Sequence, residues 1–267
     1  MITPADIFSL LQARPDATTR PQGAHQFRSL ATAQQYAWPY AVTQHFVRPG
    51  GRVLDWGCGN GHFSQFLLQA GYEVRAFAFG PPAPLIADLQ RAAPEKISYS
   101  AGSSAEPVQL PFADGSCDAI ASVGVLEHVR ETAGNESASL REIYRVLVPG
   151  GVFLCFHFPN RYSWIEGLTF IFPSRFHHTY RYTKSDIVTL ARQAGFELLV
   201  IKRYQAFPRN IFCSFPAALR PSRALAALVG FTDGVLAVVL NPFCQNYGFV
   251  LRKPGATATP GIPVQTA

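Results

Sequence analysis

From Arg52 onward, short apolar runs alternate with amphipathic stretches. The run Val53–Trp56 is followed by a glycine turn, a helix-like stretch over His62–Ala70 closed by Gly71, and a second apolar run over Glu73–Phe79, which together predict a β-α-β unit. Further strands are predicted at Ile97–Ala101, Asp118–Val123, Gly151–Phe158, Glu197–Ile201 and Tyr247–Leu251, and helices near Pro84–Ala93, Ser137–Leu147 and Ser185–Ala194. The alternation predicts an α/β fold: a doubly wound, mostly parallel, seven-stranded sheet with helices on both faces. The helix before Gly195 has the sharpest ends, because Thr183 and Asp186 form a capping box and glycine can turn left-handed at its close.

Regions outside this rhythm divide the chain. Residues 1–26 show no periodicity, and Phe27–Phe46 fits helices interrupted at Pro39, so residues 1–47 read as a tail and N-terminal helical cap. Residues 48–253 form the main domain. It carries insertions near 160–182, aromatic and basic, and near 205–245, strongly apolar; such insertions commonly build a substrate lid. Residues 254–267 are Pro, Gly, Ala and Thr with little else, and are expected to be disordered.

Composition sharpens this in two ways. The net charge of +6 is uneven: residues 1–160 carry 11 basic and 13 acidic side chains, residues 161–267 carry 12 and 4. A basic half favours an anionic substrate, an anionic membrane surface or nucleic acid, or is simply a solvated face. No dense Lys/Arg stripe or appended RNA-binding motif is visible, which counts against nucleic acid. The five cysteines are scattered and the N-terminus lacks a secretory pattern, so a cytoplasmic, reducing location is expected. Arg220, Arg223, Asp233 and three prolines interrupt the apolar stretch 211–242, which argues against a transmembrane segment and leaves peripheral membrane contact open.

The turn after the first strand carries the chemistry. Gly57, Gly59 and Gly61 let a ligand approach the backbone at a helix N-terminus. Their Gly-x-Gly-x-Gly spacing, with Asp55 two residues before the first, departs from the Gly-x-Gly-x-x-Gly of a dinucleotide site and places a nicotinamide-dependent oxidoreductase last among the readings. A carboxylate there suits a cationic ligand.

Val53-Leu54-Asp55-Trp56-Gly57-Cys58-Gly59-Asn60-Gly61 resembles the first motif of class I S-adenosylmethionine-dependent methyltransferases. Three further segments follow in the family's order: Leu110-Pro111-Phe112-Ala113-Asp114-Gly115-Ser116-Cys117-Asp118, Val125-Leu126-Glu127-His128-Val129, and Arg145-Val146-Leu147-Val148-Pro149-Gly150-Gly151. The set is similar to the small-molecule methyltransferases sometimes called type 11, over roughly Arg48–Ile201. The resemblance implies methyl transfer from S-adenosylmethionine, with Asp55, Gly57, Gly59, Asn60, Gly61, Phe79, Ser104, Ala105 and Ser122 at the cofactor. It gives Arg145–Gly151 a structural role, ending a helix and opening the fifth strand.

Two positions depart from the family. The acid that usually ends the second strand and binds the ribose is Ala78 here, within Phe77-Ala78-Phe79-Gly80-Pro81-Pro82. The acid that usually follows the third strand is replaced by Ser103 or Ser104, with Glu106 close by. Stacking of adenine on Phe79 can compensate. A methyltransferase fold that has lost efficient transfer and serves as a binding or scaffolding partner is therefore the alternative.

His128 is a candidate general base on an acceptor hydroxyl, against a packing or capping role at a strand end. The resemblance places His177 and His178 above the methyl-donor site, where either can touch the acceptor; an adjacent pair on a solvated loop is the simpler account. The seven histidines and five cysteines show no ligand spacing, so no metal is expected. The apolar lid beside a basic half suggests a small acceptor that is amphiphilic or anionic, methylated on oxygen: a quinone precursor, a polyketide or a lipid-linked sugar.

Overall fold

The structure, a computed structural model, describes residues 1–14, 25–103, 105–168 and 178–255. Seven strands form one sheet: β1 (Arg52–Trp56), β2 (Glu73–Phe79), β3 (Ile97–Gly102), β4 (Cys117–Val123), β5 (Leu147–Pro159), β6 (Glu197–Tyr204) and β7 (Asn246–Arg252). Their order is β3-β2-β1-β4-β5-β7-β6. Only β7 runs antiparallel, inserted between β5 and β6. The doubly wound, mostly parallel reading holds, and all seven strands lie where the apolar runs predicted. β5 starts earlier than expected, at Leu147, and β6 runs on to Tyr204.

The helices are α1 (Pro4–Gln12), α2 (Leu30–Ala33), α3 (Ala37–Phe46), α4 (His62–Gln69), α5 (Pro84–Ala92), α6 (Glu136–Val146), α7 (Trp164–Leu168), α8 (Lys184–Gln193) and α9 (Arg223–Val239). The sheet separates two apolar layers. On one face, Val53, Val74, Ala119 and Leu154 meet α1 to α5 through residues such as Ile7, Tyr40, Phe63, Phe66 and Ile86. On the other, Leu54, Ile120, Phe153 and Phe249 meet α6 and α8 through Leu140, Ile143 and Ile187. Both faces of the central strands are covered, which is why β1 and β4 read as near-continuous apolar runs.

Two expectations at the N-terminus need correction. Residues 1–26 are not wholly aperiodic: Thr3 and Asp6 form a capping box and Pro4 opens α1, whose Ile7 and Phe8 are buried. Pro39 does not interrupt a helix but lies in the first turn of α3, where its missing N–H would have had no partner anyway. The capping box at Thr183 and Asp186 forms as predicted, and Gly195 follows α8 with φ +82°.

The Arg145–Gly151 segment is structural. Arg145 donates to the carbonyls of Phe112 (2.8 Å) and Leu110 (3.1 Å) and pairs with Asp114 and Glu142, so it fastens the Leu110–Asp118 motif to the end of α6. The expected tail disorder falls on residues 256–267, outside the described residues, as does the middle of the 160–182 insertion. The 205–245 insertion contains α9, and no helix among the described residues is long and apolar enough to cross a membrane.

Candidate functional site

The sheet order reverses direction between β1 and β4, the place where open α/β sheets form a crevice at the C-terminal ends of their strands. Asp55, second to last in β1, is buried there and accepts a 2.5 Å hydrogen bond from the Ser64 hydroxyl on α4. Burial raises its pKa to about 6. A ligand ammonium beside it would reverse that shift.

The three glycines of the loop differ in purpose. Gly57 (φ +75°) packs so tightly under the turn after β4 that a Cβ would come within 2.4 Å of Val125. Gly61 (φ +84°) caps α4, and its Cβ would meet Ile86 at 2.9 Å. Gly59 (φ +47°) is exposed, and its Cβ would meet nothing closer than 3.9 Å. The amides of Gly57 and Cys58 are already spent on the Phe77 carbonyl. The Gly59-Asn60 tip is thus the part of the loop open to a ligand, while Gly57 and Gly61 hold the loop in shape.

No acid stands at the end of β2: Ala78 is half-buried and Phe79 is exposed at the strand end. Gly102 on β3 makes room for the Phe79 ring, since a Cβ there would lie 2.8 Å from it. Ala105 is exposed and its amide donates to the Ser103 hydroxyl (3.2 Å); Ser104 lies outside the described residues. Ser122 is wholly enclosed at the end of β4, in register with Trp56 and Cys155, beneath the loop rather than at its surface. A buried carboxylate, an open glycine tip and an exposed aromatic ring fit the methionine and adenine ends of S-adenosylmethionine; at the ribose the acid is missing.

Three residues that sequence reasoning passed over gather on the acceptor side. His62 opens α4 directly after the glycine loop, and its Nε2 lies 3.0 Å from the Tyr36 hydroxyl. His157, near the end of β5, meets the Tyr36 ring edge-on at 5.3 Å. Its backbone is left-handed (φ +61°), a strained state for a non-glycine residue. The Tyr204 hydroxyl accepts a 2.7 Å bond from its amide, and Gln205 Oε1 lies 3.2 Å from its Nδ1. Burial drives the pKa of both imidazoles down to about 4, so both are neutral near pH 7. His62 Nδ1 and His157 Nε2 are enclosed without a hydrogen-bond partner among the described residues. The direct signal for His62 was its adjacency to Gly61; His157 carried none, because strand alternation does not reveal a bulge.

His128 is half-exposed on the turn after β4, its Nδ1 3.1 Å from Glu131. Beside it Glu127 is buried, which pushes its pKa up to about 7. His177 lies outside the described residues. His178 reaches the same place, its ring 5.7 Å from that of His128, with its Nδ1 2.9 Å from Glu166. The expectation of no metal rested on linear spacing, and the fold brings together Glu127, His128 and His178, which no spacing rule connects.

Residues 54–155 match the family model described as a methyltransferase domain. Over 143 residues the chain is 34% identical to the malonyl-[acyl-carrier protein] O-methyltransferase of Serratia marcescens, covering 54% of this chain and 51% of that protein. It is 33% identical over 123 residues to a protein of Bos taurus named "Probable tRNA methyltransferase 9B", covering 44% of this chain and 24% of that one. The chain thus spans from about a quarter to about half the length of these curated relatives. Among solved structures, the 1,6-didemethyltoxoflavin-N1-methyltransferase of Burkholderia thailandensis, with S-adenosylhomocysteine bound, superposes with a TM-score of 0.55 at 19% identity. It covers 95% of this chain and 92% of that one, a likeness of fold. Over residues 54–155, somewhat more than a third of its length, the chain is thus similar to methyltransferase domains.

Proposed function

We propose that this chain transfers a methyl group from S-adenosylmethionine to an oxygen of a small, anionic and amphiphilic acceptor. The observation that carries this reading is the seating of Asp55 and the open Gly59-Asn60 tip at the reversal of the sheet, within the span that matches the methyltransferase domain. Asp55 would hold the cofactor's ammonium, the glycine tip its methionine chain and Phe79 its adenine. The bound cofactor supplies a methyl already activated on sulfur, so alignment against the acceptor provides much of the rate. His62 and His157 offer neutral imidazoles that can orient an acceptor hydroxyl. The Serratia relative, named an O-methyltransferase, supports oxygen as the acceptor atom.

The acceptor class rests on a cleft of about 760 Å³ between β6, α9 and the N-terminal helices. Lys184, Lys202, Arg203 and Arg209 line it, with Asp233 as the acid among its lining residues. Arg209 is buried and paired with Asp233 (2.5 Å), yet its Nε and one terminal nitrogen have no partner among the described residues. Gln205 lines the same cleft and touches His157, linking it to the acceptor side. Along α9, Leu228, Phe231, Val235 and Val238 form an exposed apolar stripe at helical spacing, with Phe231 72% and Val238 78% exposed. A head group in the cleft with a tail along this stripe describes an anionic amphiphile, and peripheral contact of the stripe with a membrane surface belongs to the same reading.

Calorimetric titration with S-adenosylmethionine and S-adenosylhomocysteine tests the cofactor, and transfer of labelled methyl to a panel of acyl, phenolic and lipid-linked acids tests the acceptor. Micromolar binding and label in an acidic amphiphile are expected. Label in tRNA alone would overturn the acceptor class. The second reading, a fold kept as a scaffold, is favoured by Ala78; absence of heat at millimolar ligand would establish it in place of the first.

A further inference from the structure

Glu127, His128 and His178 present ligand atoms that all lie within 4.8 Å of one another. Both imidazoles are held through Nδ1 by a carboxylate: Glu131 for His128 at 3.1 Å, Glu166 for His178 at 2.9 Å. The His178 amide also donates to Glu166 (3.1 Å). Each ring is thereby fixed in orientation with its Nε2 left as the ligating nitrogen. His128 Nε2 already lies 4.0 Å from Glu127 Oε1. This is the arrangement by which proteins orient metal-binding imidazoles, with an outer carboxylate setting the tautomer and raising basicity.

Glu127 supplies an independent observation. It is 2% exposed, and its Oε2 has no hydrogen-bond partner among the described residues. An enclosed carboxylate oxygen without a donor is costly, and a cation is a group that would satisfy it. Two imidazoles and one carboxylate suit a first-row transition metal better than magnesium or calcium, which prefer oxygen alone. Metal–ligand bonds of about 2.0–2.2 Å require the three atoms to close by roughly 1 Å, a shift that half-exposed His128 can make together with its equally exposed partner Glu131.

We propose that Glu127, His128 and His178 bind a first-row divalent metal ion whose open coordination positions take a hydroxyl oxygen of the acceptor. The acceptor half of this statement rests on the methyl-transfer reading above. The site stands next to the donor loop, because Val125 of the same turn packs against Gly57. Its placement would let the ion polarise an acceptor hydroxyl near the donor site.

The test uses the full chain without an affinity tag, stripped with chelator and dialysed against Zn²⁺ or Co²⁺. One equivalent should bind, Co²⁺ should show visible bands of nitrogen and oxygen ligation, and acetohydroxamate should shift them by occupying the open positions. His178→Asn and Glu127→Gln should each weaken binding at least tenfold, and Glu166→Gln, which removes only the outer carboxylate, by about tenfold. Binding of S-adenosylhomocysteine by His178→Asn should be unchanged, which also shows that this variant folds. Less than half an equivalent of metal in the parent protein, or equal binding by the variants, overturns the site. Unshifted bands with acetohydroxamate overturn its acceptor role. Failure of S-adenosylhomocysteine to bind while the metal does would instead strike the methyl-transfer reading and leave the metal site standing.

Discussion

The donor and acceptor sides of the crevice are built in different ways. On the donor side Asp55, Gly57, Gly59 and Gly61 are close neighbours in sequence, and the shape of their loop follows from local backbone conformation and the contacts beneath it. On the acceptor side Tyr36, His62, His157 and Gln205 come from four separate stretches of the chain and meet only because the sheet and its N-terminal helices close over one another. The donor side can therefore be damaged one residue at a time, whereas the acceptor side should respond as a coupled group.

The largest expected effect lies within the loop. Gly57→Ala must place a methyl group 2.4 Å from Val125 at a left-handed φ, and should destabilise the fold by about 2–4 kcal/mol. Gly59→Ala, with open space around it, should cost only about 1 kcal/mol of stability while weakening cofactor binding. Chemical denaturation and calorimetry on the pair measure the difference, and equal losses of stability would remove the distinction between supporting and contacting glycines.

Asp55→Asn comes next. Loss of a charge-assisted contact to the cofactor's ammonium should cost about 1.5–3 kcal/mol, roughly ten- to a hundredfold in affinity. The parent protein should also bind more weakly as pH falls through about 6, because Asp55 becomes neutral there and a neutral carboxyl cannot pair with an ammonium. Titrations at pH 5 and 7.5 check this, and the variant should lose that part of the dependence.

The acceptor side should register in the acid stability of the fold. His62 and His157 titrate at about 4 when folded but near 6.5 when unfolded, so between those values the unfolded chain binds more protons. Their contribution is present above pH 6.5 and is lost as pH falls toward 4. Asp55, raised from 3.8 to about 6, and Glu127, raised from 4.5 to about 7, act in the opposite sense and offset most of this in the parent protein. His157→Asn removes one histidine's share, so the variant should gain stability relative to the parent as pH falls from 6.5 toward 4. Denaturation curves at pH 7, 5.5 and 4.5 would reveal it.

The smallest effect is expected at the surface. Phe231→Asp should change stability by no more than about 0.5 kcal/mol, since the ring is 72% exposed, yet it should lower recovery of the protein on anionic vesicles in sedimentation. Unchanged recovery would detach α9 from the amphiphile reading.

Legibility followed the same division. Every strand was visible as an apolar run and α8 could be bounded by its capping box, because these signals span a few residues and depend on backbone geometry. α1 carried its own capping box at Thr3 and Asp6, which was overlooked among prolines and charges. His157 gave no sign, because its orientation depends on a bulge in β5 and on Tyr204 and Gln205 well downstream. The absence of an acid at Ala78 was plain from the sequence, while the space that lets Phe79 present its ring there depends on Gly102 in the neighbouring strand.

By itself, the sequence determined the alternating sheet, the donor loop and the missing ribose acid, all set by contiguous residues whose conformational preferences act locally. Only the tertiary structure decided which glycine faces a ligand, which histidines become neutral, and that Glu127, His128 and His178 share one corner. Those properties arise from burial and from contacts between residues distant in the chain, which no local pattern records.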